Sequence, residues 1–128
     1  MVGYSGTPLT RKLGVEDGMR VAVLGPPDGL TEELAGALIS RRLQGRFELI
    51  VFFATSARAL RQRLPALLGA REPHGGIWIA WPKRSSGVAS DLDDTVVREI
   101  VLATGLVDNK VCAIDATWSG LRFVARRT

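Results

Sequence analysis

Five residues, Ala116–Gly120 (ATWSG), join two apolar runs, Lys110–Asp115 and Leu121–Arg126. A parallel connection needs a crossover of about a dozen residues or more, so this spacing predicts an antiparallel hairpin. In the second run Leu121, Phe123 and Ala125 alternate with Arg122, Val124 and Arg126, which gives a strand two unlike faces. The runs before the hairpin have a different character. Met19–Leu24 (MRVAVL), Phe47–Ala54 (FELIVFFA) and Ile77–Trp81 (IWIAW) are short and nearly continuous in apolar residues, as parallel strands covered on both faces are.

Helical patterns separate these runs. Thr31 is an N-cap, Glu32 and Glu33 suit a first turn, and Leu34, Ala35, Leu38, Ile39 and Leu43 form a stripe that ends at Gly45. Thr55 or Ser56 caps a second helix with Leu60, Leu64 and Leu68 on one face, and Pro65 is expected to kink or restart it. Ser90 or Asp91 opens a third, with Leu92, Val96, Val97, Ile100 and Val101 buried and Gly105 at its end. A short helix over Pro8–Leu13, capped by Thr7, stops at Gly14. Strands and helices in alternation, closed by a hairpin, define an α/β three-layer sandwich: a Rossmann-like, mostly parallel five-stranded sheet ending in an antiparallel hairpin.

At 128 residues the chain is long enough for one α/β domain spanning 1–128, with Met1–Thr7 as a loosely held arm. The net charge of +4 invites a nucleic-acid reading. Against it, Arg41–Arg42, Arg58–Arg61–Arg63 and Arg126–Arg127 fall on separate elements and are mixed with acids. Cys112 is the single cysteine, so no internal disulfide or cysteine-rich metal site forms. No signal-peptide pattern opens the chain, and its longest apolar stretch, Leu49–Ala54, is too short to span a bilayer. The expectation is a cytoplasmic protein with no membrane partner, and a homo-oligomer is compatible with it.

In open α/β sheets ligands lie beyond the carboxyl ends of the strands. Here those ends are Gly25–Gly29, Thr55–Ser56, Pro82–Ser86 and Asp115. The turn Gly25-Pro26-Pro27-Asp28-Gly29 lacks the G-x-G-x-x-G spacing, its prolines remove two N–H donors, and no acid ends the Phe47–Ala54 strand to hold a ribose. No P-loop pattern occurs. The loop after Trp81 is richer. Lys83, Arg84, Ser85 and Ser86 suit a phosphate, sulfate or carboxylate, and the competing reading pairs the cations with Asp91, Asp93 and Asp94. Trp81, Trp118 and Tyr4 are either edge caps of the core or a contact surface. Asp115 either faces the crevice or bonds the hairpin's own N–H groups. His74 falls on the edge opposite the crevice, so a Ser–His–Asp triad is not expected, and no zinc spacing exists.

Two resemblances follow from particular stretches. GYSGTPLTRKLGVEDGMRVAVLGPP, IWIAWPKRSSGVASDLDDTVVREIVLATGLVDNKVCAID and WSGLRF together resemble a family of short bacterial proteins known only as a domain of unknown function, which brings no activity with it. The element order is also similar to a class I S-adenosylmethionine methyltransferase with its middle strands removed. That likeness implies that the fifth strand inserts antiparallel between the third and fourth, giving the order first, second, third, fifth, fourth. The leading functional expectation is a non-catalytic domain that binds a protein partner or small anion at a face made by Trp81–Gly87 and Trp118, with no cofactor and no metal. The alternatives are a methyltransferase-like enzyme or nucleoside-cofactor-binding protein, and then nucleic-acid binding.

Overall fold

The computed structural model describes residues 7–127. Tyr4 and most of the expected arm lie outside them. Six strands, β1 (Arg20–Leu24), β2 (Leu38–Ser40), β3 (Phe47–Phe53), β4 (Arg71–Pro82), β5 (Leu106–Ala113) and β6 (Trp118–Ala125), form one sheet in the order β2-β1-β3-β4-β6-β5. The pairs β2–β1, β1–β3 and β3–β4 are parallel, whereas β4–β6 and β6–β5 are antiparallel. The hairpin strand β6 therefore sits inside the sheet, in the place expected of it.

Two helices, α2 (Ala57–Ala70) and α3 (Asp94–Leu102), cover one face. Leu60, Leu64 and Leu67 of α2 and Val97, Ile100 and Val101 of α3 recur at helical spacing and bury against Ile50, Ile77, Ile79, Leu121 and Phe123. The other face has a thinner cover. There α1 (Leu9–Leu13) and a 3₁₀ turn (Thr31–Leu34) bring Leu9, Leu13, Leu30 and Leu34 onto Val21, Val23, Leu49, Val51 and Trp78. Each such leucine contributes about 1.5–3 kcal/mol by leaving water, so even a short cover closes this face.

Three local expectations are corrected. The stretch from Thr31 to Gly45 is not a helix but the 3₁₀ turn followed by β2, a sixth strand on the β1 edge. Gly36 explains it: its φ of +102° is a left-handed conformation that ends any right-handed helix, and the Asp17 carboxylate fills the space a Cβ would need. The apolar residues at 34, 38 and 39 serve a turn and an edge strand instead. Next, α2 does not restart at Pro65 but runs through it as one element. Pro65 and Arg61 are both exposed, so water can serve the carbonyl that the missing N–H leaves free. Finally, α3 starts at Asp94 with Asp93 as its cap, whose Oδ1 accepts from Val96 N at 2.8 Å. Ser90 lies ahead of the helix, accepting from Leu92 N at 3.0 Å.

Candidate functional site

β6 runs antiparallel to both its neighbours, so β5 points the same way as β4. The β5–β6 loop therefore lies at the carboxyl rim beside the loop after β4. The register Pro82↔Trp118 joins them, and the Lys83 amide donates to Thr117 O at 2.7 Å. Lys83 and Trp118 are neighbours, as the topology predicted.

Each rim side chain has a specific occupation. The Lys83 ammonium donates to Asp115 O at 2.8 Å, which ties the two loops together. Asp115 Oδ1 accepts from Thr117 N at 2.8 Å and Trp118 N at 2.7 Å, so its carboxylate serves the hairpin turn. Ser86 Oγ donates to Lys83 O at 2.7 Å and accepts from Val88 N at 3.1 Å. Ser85 and Arg84 point to solvent. Arg84 is 92% exposed and approaches Asp93 only to 3.9 Å, a contact too open to water to hold the side chain. The two tryptophans lie on opposite faces of the sheet. Trp81 is buried with the α2 and α3 core, whereas Trp118 packs on the α1 side, edge-on to Phe53 with ring centroids 5.1 Å apart. They share a rim but not a surface.

A cleft of about 310 Å³ opens beside this loop, lined by Pro82, Arg84, Gly87, Ser90, Asp91 and Asp93 among others. Asp91, expected at the start of the third helix, serves the second one instead. Its Oδ1 accepts from Ala57 N at 2.8 Å, capping α2 from 34 residues away, next to Ser56, whose Oγ accepts from Ala59 N at 3.1 Å. Spacing along the chain carries no signal for a cap supplied from another loop.

At the β1 end of the rim, Pro26 and Pro27 occupy the turn after β1, and Leu30 N donates to Pro27 O at 3.3 Å. β2 ends at Ser40 and is followed by Arg41 and Arg42, with Arg41 Nη2 donating to Thr31 Oγ1 at 3.0 Å. His74 is at the opposite pole, by the start of β4. Among the described residues no group of three or more His, Cys, Asp or Glu side chains is placed to hold a metal ion, and no helix is long and apolar enough to cross a membrane.

No family model and no curated protein matches the chain by sequence, so the resemblance to the short bacterial family rests on its motifs alone. Solved structures do match in shape. A SAM dependent methyltransferase from Aquifex aeolicus aligns over 90% of this chain and 86% of its own, with a TM-score of 0.63 and 15% identity. The N-methyltransferase NodS from Bradyrhizobium japonicum WM9 aligns over 93% of both chains, again with a TM-score of 0.63 and 15% identity. Magnesium protoporphyrin IX methyltransferase (ChlM) from Synechocystis PCC 6803, solved with bound SAM, covers 86% of this chain and 71% of its own, with a TM-score of 0.61 and 10% identity. This chain has the methyltransferase fold. At such identities the likeness is one of architecture.

Proposed function

We propose that this protein is methyltransferase-like and binds an adenosine-bearing small molecule at its carboxyl rim. The observation that carries the reading is the strand order, with β6 antiparallel between β4 and β5, because it brings the loops after β1, β3, β4 and β5 to one edge. The solved neighbours support it: ChlM holds SAM, and NodS was also solved in complex with S-adenosyl-L-homocysteine.

The rim departs from a full cofactor cradle in two places. Pro26 and Pro27 withdraw two backbone donors from the turn after β1, and β2 is followed by Arg41 and Arg42 where an acid would bind ribose hydroxyls. The residues present therefore do not supply the backbone cradle that adenosylmethionine takes in a glycine-rich turn. The proposal is accordingly one of binding, and no methyl-transfer step is assigned to these residues. Isothermal calorimetry with adenosylmethionine and adenosylhomocysteine tests it. A saturable heat with either supports the reading, and none from either at high protein concentration overturns it.

One observation favours a second reading, a non-catalytic domain that binds a protein partner or small anion at the face of Trp81–Gly87 and Trp118. Arg84 is the cation of that loop left without a close partner, and Ser85 is exposed beside it. A thermal shift with phosphosugars or carboxylates that disappears in Arg84→Ala would favour this reading over the first.

A further inference from the structure

Midway along β5 and β6, above the pole opposite the carboxyl rim, lies an arrangement that stability alone does not explain. Lys110 of β5 and Arg122 of β6 are direct cross-strand partners. Directly opposed side chains share a face of the sheet, and like charges placed so repel one another. Arg122 also pairs with Trp78, which puts it on the α1 side. Its guanidinium is half-buried, and among the described residues it makes no hydrogen bond and no ion pair. Burial without a counter-charge holds its pKa below the ordinary arginine value.

The guanidinium has a fixed seat. It lies over Gly76 of β4, so closely that a Cβ on that residue would come within 2.8–2.9 Å of Nε, Cζ and Nη2. Gly76 is the space that lets Arg122 lie flat. Beyond the Lys110–Arg122 pair, past an irregularity between Asp108 and Lys110, a cleft of about 810 Å³ opens. Its walls include His74, Asn109, Arg126 and Arg127 over an apolar floor of Val107 and Val124, and among the described residues no carboxylate side chain lines it. The side chains of these four make no hydrogen bond or ion pair among the described residues. The nearest acid in sequence on β5, Asp108, is engaged by Arg98 on the α3 side at 3.1 Å.

The geometry points to a binding site for a phosphate-bearing small molecule on this face, with the unpaired Arg122 guanidinium over Gly76 as its anchor, Lys110 adding charge from the next strand, and the neighbouring cleft holding the organic part. A polyanion on this face gains from both cations, and guanidinium–phosphate bonds are among the strongest available to an uncoordinated anion. A small ligand fits better than a nucleic-acid strand. The remaining cations are dispersed among acids on other elements and leave no continuous track for a phosphate backbone.

Titration of the full chain with inorganic tripolyphosphate, read by amide chemical shifts, tests the site. Saturable shifts confined to β4, β5 and β6 near this pole are expected. Arg122→Met weakens binding about tenfold, the loss of one charge-assisted bond. Gly76→Ala retains the arginine but displaces its head, and weakens binding by a similar factor. Lys110→Glu separates the site from a structural role, because it raises the melting temperature by relieving repulsion while removing binding. Arg63→Met on α2 leaves binding unchanged. Absence of saturable shifts overturns the site, as does binding indifferent to Gly76→Ala, Arg122→Met and Lys110→Glu together. Tighter binding of an oligothymidylate than of tripolyphosphate, lost in the same variants, overturns the small-molecule assignment in favour of nucleic acid.

Discussion

The indole Nε1 of Trp78 donates to the carbonyl oxygen of Leu13 at 2.9 Å, joining the middle of β4 to the end of α1 across 65 residues of chain. Trp78 is fully buried and is the largest side chain with that distinction. One residue thus fills the core on the thinly covered face and satisfies a carbonyl at the terminus of the helix that covers it. Trp78→Phe removes the donor and leaves that carbonyl without its partner, at an expected loss of about 1–3 kcal/mol. The check is a lower urea midpoint with an unchanged m-value. A midpoint equal to that of the parent would show that the bond contributes nothing net.

Asp91 acts on α2 from another loop, so its removal should be felt away from its own position. Asp91→Ala is expected to destabilise the fold by about 0.5–2 kcal/mol, the range for loss of an N-cap. Hydrogen exchange at the first turn of α2 locates the effect. Faster exchange confined to the Gly87–Asp93 loop would contradict the assignment.

Asp115 holds the hairpin turn through two backbone N–H groups on one oxygen. Asp115→Asn keeps an acceptor at Oδ1 and should cost less than Asp115→Ala, for which about 1–2 kcal/mol is expected. Lys83 binds the backbone carbonyl of Asp115 rather than its side chain. Chemical shifts of the Lys83 side chain should therefore survive both substitutions.

Cys112 faces the α1 side, half-buried, and burial raises its thiol pKa while Lys12 pulls it down. A folded value above the unfolded one means that the native state keeps its proton to higher pH. The corresponding stability is present below the unfolded value and is lost as pH rises toward the folded one. Alkylation by iodoacetamide, followed against pH, should be slower in native protein than in urea, with its midpoint displaced to higher pH. Lys12→Met should displace it further. Coincident native and denatured profiles would show the thiol to be free.

Pro65 leaves an interior turn of α2 one donor short. Pro65→Ala restores the bond to the Arg61 carbonyl, and on this exposed face about 1–2 kcal/mol of added stability is expected, partly offset by a more flexible unfolded chain. Thermal denaturation gives the sign directly, and a lower melting temperature would mean that the ring's packing outweighs the missing bond.

Much of the architecture could be read from residues because it follows from connection lengths. Ala116–Gly120 is too short for anything but a hairpin, and the apolar strands before it are buried on both faces. The error at Thr31–Gly45 has a physical source. Leucines at 34, 38 and 43 satisfy a helical period, but the period carries no information about backbone sign, and Gly36 decides it. The signal was present in that one residue type, in the middle of the stripe. The candidate site was legible at lower resolution. Topology put Lys83 and Trp118 together, but which oxygen Lys83 would bind, which helix Asp91 would cap, and which side of the sheet each tryptophan would take depend on loop paths that no periodicity encodes. Trp78 drew no attention as a hydrogen-bond donor because its partner is remote in sequence.

The place of β6 has a consequence for how the molecule comes into being. On a ribosome β5 emerges before β6, yet β6 separates β5 from the rest of the sheet. Until Trp118–Ala125 has been made, β4 shows a bare edge of apolar strand and β5 has nothing to dock on. The nascent chain must carry that exposed edge through the synthesis of α3 and β5, and a holding chaperone would find its target there.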